Sequence, residues 1–241
     1  MPDLTINGHK HHYEDVGSGT PMIFIAGTRF DAAKDWVAYM ERNASDFRVI
    51  MPDIRGMAQS EHTADVKGED WVADLGALLD ELSIDSIHLA AETLGSRVIT
   101  RFAVENPLRA KSLVLNGAIA YSYPGGDEER RNQPQERIDA MRQYHGDDAA
   151  GINEFYLDLH SKPEFHEYYD LRKIAAQVTA PALILRGDDD DERHPIAHST
   201  ELHTLIPNSR LQIFANTQFN GMTNRPEESW ALIRELVKDA G

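Results

Sequence analysis

The chain has 241 residues, a formal charge of −16 and no cysteine. Apolar residues make up 41% and charged residues 27%, which is typical of a globular domain, and the length suits one large core. The acidic balance repels phosphate backbones and anionic membranes, and the lack of cysteine excludes disulfides, thiolate nucleophiles and cysteine-based zinc sites.

The N-terminus and the hydropathy pattern argue against export or membrane insertion. Residues 1–8 lack a basic region followed by an apolar run, so they do not read as a signal peptide. No apolar stretch approaches the roughly 18 residues that span a bilayer. We therefore expect a cytoplasmic protein whose partner is a small-molecule substrate or ligand, not nucleic acid or a membrane. A homodimer is compatible with this composition.

Predicted strands and helices alternate after an opening hairpin. The pair Asn7-Gly8 supplies the two positive φ values of a tight turn, and the apolar run 22–26 is typical of a strand covered on both faces. This order predicts an α/β fold with a mostly parallel eight-stranded sheet and helices on both faces. The predicted strands are 4–6, 9–14, 22–26, 47–51, 87–91, 112–115, 182–185 and 210–214, and the predicted helices are 34–43, 69–82, 96–106, 195–205 and 227–237.

One polar stretch, residues 121–178, interrupts the alternation. Its pattern indicates three amphipathic helices, at 128–144, 152–160 and 163–177, and no convincing strand. The stretch is too small and polar for a core of its own. We interpret it as a helical lid inserted into a single domain of residues 1–241.

The segment 88–96, His-Leu-Ala-Ala-Glu-Thr-Leu-Gly-Ser, lies at a predicted strand-to-helix junction. It resembles the nucleophile elbow of the α/β-hydrolase superfamily, G-x-S-x-G, with Ala91, Thr93 and Gly95 at the three marked positions. Other segments resemble further motifs of that superfamily in the same order, namely the strand ending in His-Gly at 23–28, the D-x-R-G-x-G-x-S loop at 53–60, the G-x-x-D strand end at 185–190 and the histidine loop at 214–226.

The resemblance implies a catalytic triad that has lost two of its members. Thr93 stands at the nucleophile position, and Asp190 matches the triad acid. The triad histidine would fall near Gln218, Phe219 or Asn220, none of which can act as a base near pH 7. Threonine keeps a hydroxyl, but a β-branched residue tolerates the strained elbow backbone poorly.

The oxyanion hole that the resemblance implies depends only on backbone amides. In this sequence those amides belong to Thr28 and Leu94. Backbone donors do not depend on side-chain identity, so a pocket that polarises a carbonyl group can persist after the triad is lost.

Several other residues have a catalytic interpretation and an ordinary one. Asp190 is the triad acid or one member of the acidic run 188–192, and Gln218 either positions a water or caps the loop. There are four substrate-binding candidates. Arg29 either binds an anionic substrate or forms a surface ion pair, and Glu92 either acts as an acid or base or packs beside the sheet. Asn220 either contacts substrate or caps the loop, and Tyr121 is expected to line the lid and the pocket.

The histidines offer no clear replacement base. His9, His11 and His12 are expected to be exposed strand residues, since no carboxylate cluster accompanies them, and we predict no metal site. His194 and His198 are expected at the surface. A histidine of the lid, His145, His160 or His166, could take the place of the base, and the sequence does not select one.

Three functions remain open at this point. The first is an enzyme that acts at a carbonyl of a small organic molecule, most simply by hydrolysing an ester or lactone, with Thr93, Asp190 and Gln218 as the catalytic residues. The second is a cofactor-free lyase, isomerase, cyclase or oxygenase that uses the same oxyanion pocket. The third is a catalytically silent protein that binds a small ligand. No cofactor is expected for any of them.

Overall fold

The computed structural model describes residues 3–27, 33–63, 65–122, 131–132, 134–189 and 194–241. Eight strands form one sheet in the order β1-β2-β4-β3-β5-β6-β7-β8. β1 and β2 pair antiparallel, as do β2 and β4, and all other neighbours are parallel. The strands are β1 Asp3–Ile6, β2 His9–Gly17, β3 Thr20–Ile25, β4 Phe47–Pro52, β5 Ile87–Glu92, β6 Ala110–Asn116, β7 Ala182–Gly187 and β8 Ser209–Phe214. The predicted fold class is confirmed.

The helices cover both faces of the sheet. In chain order they are α1 Ala33–Asn43, α2 Gly68–Glu81, α3 Leu94–Glu105, α4 Pro134–His145, α5 Ala149–Leu159, α6 Pro163–Tyr168, α7 Ile196–Leu205, α8 Gly221–Asn224 and α9 Pro226–Ala240. Buried side chains of α1 and α9 form one apolar cluster with the sheet, and those of α2, α3 and α7 belong to a second cluster on the other face. The parallel strands lie between these two clusters, which explains why β3, β5 and β7 are buried along their apolar runs.

The opening hairpin has the predicted turn. Asn7 and Gly8 adopt φ values of 51° and 83°, and β1 pairs with β2 in register from Ile6↔His9 to Asp3↔His12. However, the prediction that the hairpin histidines are exposed is wrong. His11 and His12 are each 4% exposed, because β2 is covered by neighbouring elements rather than by solvent.

The chain between β6 and β7 contains α4, α5, α6 and three short 3₁₀ helices, Gly146–Asp148, Leu171–Lys173 and Ala175–Gln177. The predicted single helix over 163–177 is wrong. It ends at Tyr168, since the Asp170 carboxylate accepts a hydrogen bond from the Arg172 N–H and starts a new turn. The interpretation of this insertion as a lid stays a prediction.

Candidate active site

The strand order reverses direction between β3 and β5. The chain leaves β3 towards β4 on one side, whereas it leaves β5 towards β6 on the other. In an open α/β sheet, the crevice at the carboxyl ends of two such strands is where ligands bind. Thr93 follows β5 immediately and therefore lies at this crevice.

Thr93 forms a sharp bend between β5 and α3. Its backbone has φ +47° and ψ −115°, a conformation that is rare for any residue other than glycine. The Thr93 N–H donates to the Asn116 carbonyl at 3.0 Å. A Cβ atom on Gly95 would lie only 2.8 Å from the Ile25 carbonyl oxygen, so glycine allows α3 to start close to β3. The bend thus lies at the position that the resemblance implied.

The Leu94 amide belongs to the first turn of α3. The N–H groups of a first turn have no partner within the helix and point along the positive end of the helix dipole. This amide can therefore stabilise negative charge on an oxygen beside Thr93. Thr28, the other predicted donor, and Arg29 lie outside the described residues, as does Asp190.

The Thr93 hydroxyl has no hydrogen-bond partner among the described residues. The loop after β8 supplies no titratable group there, since Gln218 is exposed and its backbone carbonyl packs against Gly187. The carboxylate of Asp188 accepts the Thr217 N–H at 3.0 Å, and that bond holds the pKa of Asp188 below its usual range. The loop is therefore tied to the end of β7.

Glu92 and Asn220 are joined in a hydrogen-bond network behind the bend. Glu92 is 4% exposed, and its Oε1 accepts a hydrogen bond from the Asn220 side chain at 2.8 Å. The Asn220 oxygen accepts from the side chain of Asn116 at 2.6 Å and from the Thr223 N–H at 3.2 Å. Asn220 thus caps α8 and links it to β5 and β6. Asn116 was not among the predicted site residues, although a polar residue at the end of a buried strand is the signal for such a position.

A family model described as the alpha/beta hydrolase fold matches residues 25–151. The chain belongs to the α/β-hydrolase family. A 2-hydroxy-6-oxononadienedioate/2-hydroxy-6-oxononatrienedioate hydrolase of Paraburkholderia xenovorans is 31% identical, over 85% of this chain and 82% of that protein. A 2-hydroxy-6-oxo-2,4-heptadienoate hydrolase of Pseudomonas putida is 28% identical, over 86% of this chain and 85% of that protein. The solved structure of the enol-lactonase from Burkholderia xenovorans LB400 superposes with a TM-score of 0.77 at 18% identity, covering 98% and 100% of the two chains.

In this α/β-hydrolase, the Tyr121 ring contacts one cationic group and one aromatic ring. The Arg172 guanidinium lies 3.8 Å from the centre of the Tyr121 ring, and the His198 ring lies 4.3 Å from it. Tyr121 also lines a cleft with Ser122, His166 and Arg172. Thr93 is not among the described residues that line this cleft. Within the described part of the chain, Tyr121 and Thr93 therefore do not share a pocket.

The prediction that His198 is a surface residue of the α/β-hydrolase is wrong. It is 2% exposed, and its Nδ1 accepts the Ala120 N–H at 3.1 Å. Burial, followed by the nearby Arg97 and Arg172, lowers the pKa of His198 to about 4. His198 is therefore neutral at pH 7 and contributes to the packing of α7 on the sheet.

Each hairpin histidine lies beside a carboxylate. His9 Nδ1 lies 2.9 Å from Glu61, His11 Nε2 lies 3.4 Å from Asp74, and His12 Nδ1 lies 3.0 Å from Asp3. Burial lowers the pKa of His11 despite the Asp74 charge. Over the described ranges, no group of three or more histidine, aspartate or glutamate side chains is arranged to hold a metal ion. Nor is any described helix both long and apolar enough to cross a bilayer.

Proposed function

We propose that this α/β-hydrolase acts at a carbonyl group of a small organic molecule and hydrolyses an ester or lactone-type bond. The observation that carries the proposal is the strained bend at Thr93, which presents a hydroxyl and the Leu94 amide together at the carboxyl end of β5. The names of the relatives support the class, since they include hydrolases of 2-hydroxy-6-oxo acids and an enol-lactonase.

The backbone supplies the electrostatic part of this chemistry. As the carbonyl carbon is attacked, negative charge develops on its oxygen, and the Leu94 N–H stabilises that charge at the start of α3. One such donor contributes about 10²–10³ to the rate in other enzymes. The Thr28 amide is the proposed second donor.

Thr93 is the proposed nucleophile, and Asp190 with Gln218 is proposed to position the hydrolytic water. A secondary hydroxyl is more hindered than that of serine, and it stays protonated unless a base removes its proton. We therefore expect slower turnover than with a Ser-His pair, and a preference for activated or strained acyl groups. The insertion of residues 121–178 is proposed to cover the substrate as a lid.

The test is the hydrolysis of p-nitrophenyl acetate and butyrate by the purified protein and by Thr93→Ala. We expect measurable turnover by the wild type and at least about a 100-fold fall in kcat/KM for Thr93→Ala, because the attacking oxygen is removed. Thr204→Ala is the matched control, since Thr204 is an exposed threonine on α7, and it is expected to leave the rate unchanged. A Thr93→Ala protein as active as the wild type would contradict the proposal.

One observation favours a second function, a cofactor-free non-hydrolytic reaction at the same pocket. No basic side chain among the described residues hydrogen-bonds the Thr93 hydroxyl. A lyase, isomerase, cyclase or oxygenase that only stabilises an enolate would not need such a base. This alternative predicts no ester turnover, together with ligand-dependent chemistry that is lost when Glu92, Arg29 or a histidine of the predicted lid is replaced.

A further inference from the structure

The cleft beside Tyr121 contains a serine and a histidine in direct contact. Ser122 lies in the segment after β6, and its Oγ hydrogen-bonds Nδ1 of His166 on α6. The other ring nitrogen of His166, Nε2, lies 2.7 Å from the His160 carbonyl oxygen. Ser122 and His166 are both half-buried and both line the cleft, so a molecule bound there can reach them.

The two contacts of His166 decide which atom carries each hydrogen. A carbonyl oxygen only accepts, so Nε2 donates to the His160 carbonyl. In a neutral imidazole the other nitrogen then carries a lone pair, and Nδ1 accepts the hydrogen of the Ser122 hydroxyl. This is the arrangement that activates a serine, because a base contacts the hydroxyl and a third group orients the base.

Two other serine–histidine pairs of the described chain differ from this one. The Ser209 hydroxyl donates to the Ile206 carbonyl at 2.8 Å, so its 2.9 Å contact with His203 Nδ1 does not direct its proton to the imidazole. Ser112 and His88 are 2.8 Å apart, but both are buried within the sheet. The pair in the cleft therefore combines the right direction of the proton with access from outside.

A buried cation lies beside the Ser122 oxygen. Arg97 of α3 is 3% exposed, and its Nε donates to the Ile119 carbonyl at 3.0 Å, which holds the guanidinium against the segment after β6. Its Nη1 lies 3.5 Å from Ser122 Oγ. A positive charge fixed at this place stabilises negative charge that develops on an oxygen beside Ser122.

The cleft suits a small uncharged molecule. Its volume is about 370 Å³, at the lower end of the range of small-molecule sites, and the Tyr121 ring forms part of its wall. The charged side chains that line it are paired. Two hydrogen bonds, of 2.8 and 2.7 Å, join Arg172 to Asp170, and Glu167 forms an ion pair with Lys173. These pairs neutralise one another's charge at the cleft.

We propose that Ser122 and His166 form a second nucleophilic site, which takes the acyl group of a small uncharged ester. His166 is the general base, and Arg97 holds the oxygen on which negative charge develops. This site goes beyond the function proposed for Thr93, which is not among the described residues that line the cleft. The ester turnover that Thr93→Ala retains is expected to come from Ser122.

The proton follows a closed cycle. As Ser122 Oγ bonds to the ester carbonyl carbon, its proton passes to Nδ1 of His166, and the carbonyl π electrons move onto the oxygen beside Arg97. When this adduct collapses, the bond to the leaving oxygen breaks and the imidazolium protonates that oxygen. Water then attacks acyl-Ser122 and gives its proton to Nδ1. Collapse of the second adduct returns that proton to Ser122 Oγ and releases the acid.

The test is covalent labelling by phenylmethylsulfonyl fluoride, which forms a sulfonate ester with an activated serine and releases fluoride. Peptide mass spectrometry locates the label. We expect label on Ser122 in the wild type and equally in Thr93→Ala. His166→Gln keeps an acceptor for the hydroxyl but has no base, so its labelling is expected to be at least about 100-fold slower. Added imidazole is expected to restore part of the labelling to His166→Ala, which a structural role for His166 does not predict.

Ser209→Ala is the matched control, since Ser209 is also half-buried and also contacts Nδ1 of a histidine. It is expected to leave the label on Ser122 unchanged. A wild type without label on Ser122, or a His166→Gln protein labelled within threefold of the wild-type rate, overturns the second site. Either result leaves the proposed function standing if ester turnover still depends on Thr93. Label on Ser122, together with a Thr93→Ala protein as active as the wild type, supports the second site and contradicts the proposed function.

Discussion

Thr93 is held in a backbone conformation that a β-branched residue disfavours. Non-glycine residues in such regions cost of order 1–3 kcal/mol each and persist only where their surroundings impose them. Here the Asn116 carbonyl fixes the Thr93 N–H, and the close approach of Gly95 to Ile25 fixes the start of α3. The fold therefore maintains strain at the residue that we propose as the nucleophile.

Ala58 is strained in the same sense but carries no proposed function. It stands where the related D-x-R-G-x-G-x-S loop has its second glycine, and its φ is +47°. A left-handed alanine costs about 1–2 kcal/mol, whereas the extra freedom of an unfolded glycine costs about 0.5–1 kcal/mol. We predict that Ala58→Gly raises the free energy of unfolding by about 0.5–1 kcal/mol, measured by urea denaturation.

The control for Ala58→Gly is the same substitution in an ordinary helix. Ala38 is exposed in the interior of α1, where glycine costs about 1 kcal/mol. Ala38→Gly is therefore expected to move the urea midpoint in the opposite direction. If both variants lose stability to the same extent, the left-handed backbone at Ala58 is not a source of strain.

At the level of elements, Asn220 ties α8 to β5 and β6. Removing the Asn220 side chain takes away the cap of α8, which costs about 1 kcal/mol. It also removes one hydrogen-bond donor from the buried Glu92 carboxylate, which costs about a further 1–3 kcal/mol. We predict that Asn220→Ala lowers the free energy of unfolding by about 2–4 kcal/mol, measured by urea denaturation.

Asn224→Ala separates the network from the general effect of removing an amide from α8. Asn224 is exposed, and its side chain donates to the Asn220 carbonyl at 2.6 Å. Its loss is expected to change stability by less than about 0.5 kcal/mol. Equal losses for the two variants would mean that the contact between Asn220 and Glu92 is not what stabilises α8.

The elements were predictable where a local pattern determines them. Continuous apolar runs identified β3, β5 and β7 because burial on both faces requires them, and Asn7-Gly8 identified the hairpin turn. The end of α6 was missed because the Asp170 cap competes with a good helical pattern. The burial of His11 and His198 depends on segments far apart in the sequence, which no local pattern encodes.

For the whole molecule, buried neutral histidines make folding depend on pH. Burial lowers the pKa of His88 and of His198 from 6.5 to about 4, and it also lowers that of His11. The unfolded chain then binds more protons than the folded protein between these values. The stability that these rings contribute is complete above pH 6.5 and is lost as the pH falls towards 4.

We predict that the free energy of unfolding, measured in urea, falls by about 2 kcal/mol for each of His88 and His198 between pH 7.5 and pH 5. His198→Gln keeps an acceptor for the Ala120 N–H and removes one titrating ring, so its pH dependence is expected to be smaller by the contribution of that ring. His203→Gln, which removes an exposed ring from the same helix, is expected to keep the wild-type dependence.

If His198→Gln loses as much stability on acidification as the wild type, then His198 already carries its proton in the folded protein. Because the net charge of −16 is reduced on acidification, general charge repulsion would change stability in the opposite direction and cannot account for the predicted loss.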